Sequence, residues 1–109
     1  MKKALYLIIE LNDDSYSVLL KIKERGFNAT IISTESLRHA LEYLPEEQHF
    51  YTLRHHEQKE LITSATCIFV VDEEKLEELK QIIRETTNNF LDLKGFMYSK
   101  DLKDYEGSI

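Results

Sequence analysis

Cysteine, proline and glycine are scarce in this chain of 109 residues, which holds one Cys, one Pro and three Gly. One cysteine excludes an internal disulfide. Cys67 stands inside the apolar run Thr66-Cys67-Ile68-Phe69-Val70-Val71, where a free thiol behaves as a small buried hydrophobe, and a reducing compartment fits. So little Gly and Pro leaves no flexible linker, low-complexity tract or repeat of fixed period. A basic block is also missing. Fourteen Lys plus Arg against twenty Asp plus Glu give a net charge of −6, spread along the chain, which excludes the electrostatic footprint of a nucleic-acid binder. Long apolar runs are absent too. Ala4 to Ile9 is broken by Glu10 and then by Asn12-Asp13-Asp14, too short for the ~20 residues of a membrane span or for a signal peptide. A cytoplasmic protein is expected.

What the chain does have is a regular alternation of short apolar runs and amphipathic stretches. Its length fits one domain over residues 1–109, with enough surface left exposed that association would relieve it. Ala4-Leu5-Tyr6-Leu7-Ile8-Ile9 reads as a central strand. Asn12, Asp13 or Asp14 can cap a helix over roughly 13–25, with apolar Val18, Leu19 and Ile22, and Gly26 can end it in the left-handed conformation. Ala29 to Ser33 is a second strand, and Thr63 to Val71 a third. Asp72 then caps a second helix with Leu76, Leu79, Ile82 and Ile83 on one face. Its early Glu73, Glu74, Glu77 and Glu78 and later Lys80 and Arg84 suit the helix dipole. Asn88-Asn89 breaks that helix, and Leu91 to Tyr98 supplies a fourth strand. The order β-α-β, insertion, β-α-β predicts an α+β fold: a ferredoxin-like sandwich with two helices on one face of a four-stranded antiparallel sheet.

Residues 35–62 form an insertion too long for a hairpin loop, so a functional role is expected there. Leu37, Ala40, Leu41 and Leu44 at i, i+3, i+4 and i+7 predict one amphipathic helix stopped by Pro45. Just before it, Thr30, Ser33, Thr34, Ser36 and Arg38 set hydroxyls and one guanidinium around the end of the second strand, suited to a carboxylate, a phosphate or a base edge. The same Ser and Thr residues also fit a strand of alternating faces followed by a helix cap. His39, His49, His55 and His56 are metal-ligand candidates by residue type. None pairs at i, i+4 and no Cys is near, so solvated or interface histidines describe them better. The acidic group from Asp72 to Glu78 lacks the oxygen-ligand spacing of a calcium loop. No nucleophile, base and oxyanion donor can be assembled, so the chain is not expected to be an enzyme.

With this order and the stretch Gly26-Phe27-Asn28-Ala29-Thr30-Ile31-Ile32-Ser33-Thr34-Glu35-Ser36-Leu37-Arg38 in view, the chain resembles the PII-like proteins. These are trimeric ferredoxin-like sensors that bind small ligands, often nucleotides, in clefts between subunits. Within them it looks most like the cyclic di-AMP receptors, whose helix stop and second strand read roughly Phe-Arg-Ala-Thr, then Thr-Gly-Gly-Phe-Leu-Arg. Phe27, Ala29, Thr30, Thr34, Leu37 and Arg38 fall on matching positions, while Asn28 stands for the Arg and Glu35-Ser36 for the Gly-Gly. Gly95-Phe96-Met97-Tyr98-Ser99 and the acidic tail to Gly107 are similar to the fourth strand and tail of PII proteins. The resemblance implies a non-catalytic regulator, a homotrimer whose small-molecule ligand, a nucleotide among the candidates, meets Asn28, Thr30, Ser33, Thr34, Ser36, Leu37 and Arg38. Loop 35–62 would respond to ligand or to a protein partner. The residue pattern leaves open a structural or protein-interaction module, or a metal-binding trimer using the loop histidines.

Overall fold

A computed structural model describes residues 1–37, 40–41 and 64–108. Among these residues, four strands and two full helices follow one another as β1 (Lys2–Glu10), α1 (Asp13–Glu24), β2 (Thr30–Thr34), β3 (Ser64–Asp72), α2 (Glu73–Thr87) and β4 (Gly95–Asp101). The sheet order is β2-β3-β1-β4 and each neighbouring pair is antiparallel. β1 and β2 therefore run parallel with β3 between them, and α1 makes the crossover that the sequence implies. The α+β class, the four-stranded antiparallel sheet and the two helices agree with the sequence, and the order is compatible with a small ferredoxin-like fold.

The pleat sorts each strand into two faces. Leu5, Leu7 and Ile9 of β1 and Cys67, Phe69 and Val71 of β3 join Val18 and Ile22 of α1 and Leu79, Ile82 and Ile83 of α2 in one buried cluster, so both helices cover the odd-numbered face. Among the described residues, neither α1 nor α2 covers the even-numbered face. Across it, register aligns Thr30, Ile68, Tyr6 and Tyr98 in one row and Ile32, Thr66, Ile8 and Phe96 in the next.

Each helix end has a local cause. At α1, Asn12 is the cap the chain uses: its side chain accepts from the Ser15 N–H at 3.1 Å, and Ser15 Oγ accepts from the Asn12 N–H at 2.9 Å. That reciprocal pair satisfies two donors that the first turn leaves open. Gly26 then takes φ +92° and reverses the chain toward β2. The expected cap at α2 is corrected, because Asp72 makes no side-chain bond to the helix. Lys2 lies opposite it in the β1–β3 register, and the carboxylate meets that ammonium at 2.7 Å, a charge-assisted contact stronger than a neutral N–H bond. The first turn is tied instead by the Glu73 N–H, which donates to the Met1 carbonyl.

The fourth strand begins later than the apolar pattern suggests, at Gly95 rather than Leu91. Asn88, Asn89 and Phe90 all hold positive φ, so the chain spirals leftward past the helix before it can extend. The Asn89 N–H donates to Arg84 O and the Asp92 N–H to Thr87 O, while Thr87 Oγ1 donates to Ile83 O and accepts from the Phe90 N–H. Leu93 is buried in the turn, which explains an apolar stretch that is not a strand.

Two Lys–Asp pairs fasten the start of β1, Lys2–Asp72 to β3 and Lys3–Asp101 to β4. In each, the hydrogen bond from the lysine holds the carboxyl below its ordinary range and raises the lysine. A depressed carboxylate adds stability that is present above the unfolded-state value near 3.8 and lost as pH falls through the folded one. Urea midpoints should therefore fall as pH drops below about 4, and Asp72→Asn with Asp101→Asn should flatten that slope. Glycine replacements give a second check on the fold. A Cβ at Gly95 would collide with the Ile8 carbonyl oxygen, whereas at Gly26 it meets open space. Gly26→Ala should cost about 1 kcal/mol for its positive φ, and Gly95→Ala roughly 2 kcal/mol or more, because the β1–β4 ladder must shift.

Candidate functional site

Among the described residues β2 pairs with β3 alone, and almost every one of its residues is exposed. It is short, free of charge and rich in hydroxyls because Thr and Ile favour the pleat without needing burial. At its end, Thr34 stands opposite Ser64, the first residue of β3. The two hydroxyl oxygens lie 2.9 Å apart, and Ser64 Oγ donates to the Thr34 carbonyl at 2.9 Å. This pair closes the neck from which the long insertion leaves the sheet. Ser36 follows, its carbonyl accepting from the Ala40 N–H at 3.0 Å, which begins the helical turn expected at Leu37. Leu37 and Leu41 are exposed there and Ala40 is buried.

The candidate ligand-binding residues are distributed over three places. Thr30 and Thr34 share the even-numbered face of β2, with Ser64 and Thr66 adjoining them on β3. Ser33 points to the other face, one residue out of phase. Asn28 lies beyond the opposite end of the strand, about 20 Å from Thr34 at the rise of a β-strand; its side chain accepts from the Ala29 N–H at 2.9 Å. It lines a different cleft of about 300 Å³ with Lys2, Arg25, Gly26, Asp72 and Lys75. Ser36 and Leu37 continue from the Thr34 end. Arg38 lies outside the described residues, as do His39, His49, His55 and His56 and the expected helix stop at Pro45.

Ser64 is the residue that sequence reasoning missed. The signal was available: once strands two and three are read as neighbours across the insertion, the last residue of one faces the first of the other, and Thr34 and Ser64 are both hydroxyls.

On the far side of β2, Tyr16, Leu20, Phe27 and Ile31 line an apolar groove of about 370 Å³ against α1. Among the described residues no group of three His, Cys, Asp or Glu could hold a metal ion, and no helix is long and apolar enough to cross a membrane. Cys67 sits fully buried in β3, and burial pushes its thiol up to about 11, against the thiolate that nucleophilic or metal chemistry requires.

Set beside known proteins, the chain matches no family model, and no curated sequence is significantly similar to it.

Because Cys67 has neither access nor a stabilised thiolate, a thiol reagent such as DTNB should leave the native chain unlabelled at pH 8 and label one equivalent in denaturant. Rapid native labelling would contradict the burial described for it.

Proposed function

We propose that this chain is a non-catalytic, small-molecule-binding regulatory protein of the PII-like, ferredoxin-like type. Its ligand site lies at the exit of β2, at the base of the insertion. The observation that carries the reading is the Thr34–Ser64 hydroxyl pair at the neck of that insertion, in a sheet whose strand order is compatible with a split βαβ repeat. With Ser64 Oγ donating to the Thr34 carbonyl and Thr34 Oγ1 donating to Ser64 Oγ, the pair keeps lone pairs that accept from a ligand N–H or O–H, and it donates to a phosphate or carboxylate by turning a proton out of the pair. Thr30 extends the same row, and Ser36, Leu37 and Arg38 follow directly in the chain. The resemblance that suggests this class also supplies its assembly, a homotrimer with the ligand held where copies meet. Loop 35–62 is the segment such a ligand would order, and a cytoplasmic setting suits it.

A second reading, a protein-interaction module, is favoured by one specific feature. Leu37 and Leu41, one helical turn apart, are both exposed beside buried Ala40, which leaves an apolar ridge at the start of the insertion.

Titration calorimetry against a panel of mononucleotides and cyclic dinucleotides separates the two. Uptake by the wild-type chain, weakened about tenfold by Thr34→Val and again by Arg38→Ala, is expected at the usual worth of a hydrogen bond to a ligand. A flat response across the panel, with Leu41→Asp abolishing capture of a partner protein, would favour the module instead.

A further inference from the structure

We infer that the groove between α1 and β2 binds a free medium-chain fatty acid, with its alkyl tail along α1 and its carboxylate at Arg25. Two cavities meet there. An apolar groove of about 370 Å³ and a polar cleft of about 300 Å³ both have Phe27 and Asn28 in their walls. Taken together they reach the size of a small-molecule site, apolar over most of its length with polar groups gathered at one end.

The tail's place follows from the spacing on α1. Tyr16, Leu19, Leu20 and Lys23 line the groove at i, i+3, i+4 and i+7, so it follows two turns of the helix for about 10 Å. This stripe lies beside the one that α1 buries with Val18 and Ile22. Core packing leaves it largely in water: Tyr16 is 70% exposed, and Ile31, across the groove on β2, is 55% exposed. Apolar walls around a hollow gain from an apolar occupant, and a hollow drawn out along one helix suits an extended chain better than a compact ring.

The head's place follows from charge. Lys23 and Arg25 stand at the C-terminal end of α1, and Arg25 lines the polar cleft. The two carboxylates of that cleft are already matched, Asp72 with Lys2 at 2.7 Å and Glu78 with Lys75 at 4.0 Å. Neither the Lys23 ammonium nor the Arg25 guanidinium has a side-chain partner among the described residues. Both cations are therefore in excess, on a chain of net charge −6. A guanidinium holds a carboxylate through two parallel N–H donors. Beside it, Asn28 spends its side-chain oxygen on the Ala29 N–H, so the amide N–H groups are the donors it has to offer. Apolar toward Tyr16 and cationic toward Arg25, the site has the polarity of an amphiphilic anion. A nucleotide or a short dicarboxylate would leave its apolar half unfilled.

Titration calorimetry of the full chain with octanoate, nonanoate and decanoate, each below its micelle concentration, tests the inference. Affinity should rise about fourfold with each added methylene. Lys23→Gln combined with Arg25→Gln should weaken decanoate about tenfold and leave uptake of decanol unchanged. Leu20→Asp, at an exposed position of α1, should remove uptake of both while far-ultraviolet circular dichroism stays that of wild type; should it lose that dichroism, Leu20→Ser serves in its place. Leu91→Asp, in the turn after α2 and outside both cavities, should bind as wild type does. Absence of decanoate uptake at millimolar concentration overturns the inference, and so does an affinity indifferent to chain length or one that a folded Leu20 variant leaves intact. Sedimentation with phosphatidylcholine vesicles in place of uptake of the free acid overturns it too, since the groove would then meet a membrane. A chain that takes up decanoate and no nucleotide removes only the ligand reading at the Thr34 end of β2.

Discussion

The antiparallel register of β1 against β3 carries the rest of the molecule. Nine consecutive residue pairs, from Lys2 with Asp72 to Glu10 with Ser64, join the two halves of the chain across the whole insertion. Leu5, Leu7 and Ile9 meet the helices only in this phase. A slip of one residue would turn them to the opposite face and bring Tyr6 and Ile8 into the core. β4 adds to the other edge of β1, and β2 to the other edge of β3, so each outer strand inherits its phase from this central pair.

That phase decides what the surface can offer. Because Thr30 and Thr34 share a face while Ser33 lies across the sheet, a run of hydroxyls contiguous in sequence becomes a row of two, completed by a serine thirty residues later in the chain. The same alternation places Tyr6, Tyr98 and Phe96 together on the face opposite α1 and α2. The neck of the insertion, at Thr34 and Ser64, lies at the margin of that face.

Electrostatics plays a local part. The two lysines at the start of β1 each reach across to a neighbouring strand, and the Lys2 contact draws Asp72 away from the cap that its position in the sequence suggests. Cys67 is held neutral by burial on the opposite face. The ionisable groups so arranged serve to hold the sheet together, while the Thr34 and Ser64 hydroxyls meet across the neck of the insertion.

Much of this was legible in the residues themselves. Apolar runs bounded by polar ones marked β1 and β3, Gly26 marked the end of α1, and the spacing of Leu79, Ile82 and Ile83 marked the buried stripe of α2, because these signals depend on near neighbours in the chain. The start of β4 was not legible: Leu93 is buried by a left-handed turn, and an apolar residue in a turn resembles one in a strand. Nor was the parting of Asn28 and Ser33 from Thr34, or the meeting of Thr34 with Ser64. Local sequence determined the elements and their faces, since periodicity and capping act within a few residues. Only the tertiary structure decided which side chains share a site, since that rests on strand order and register, set by pairing across the insertion.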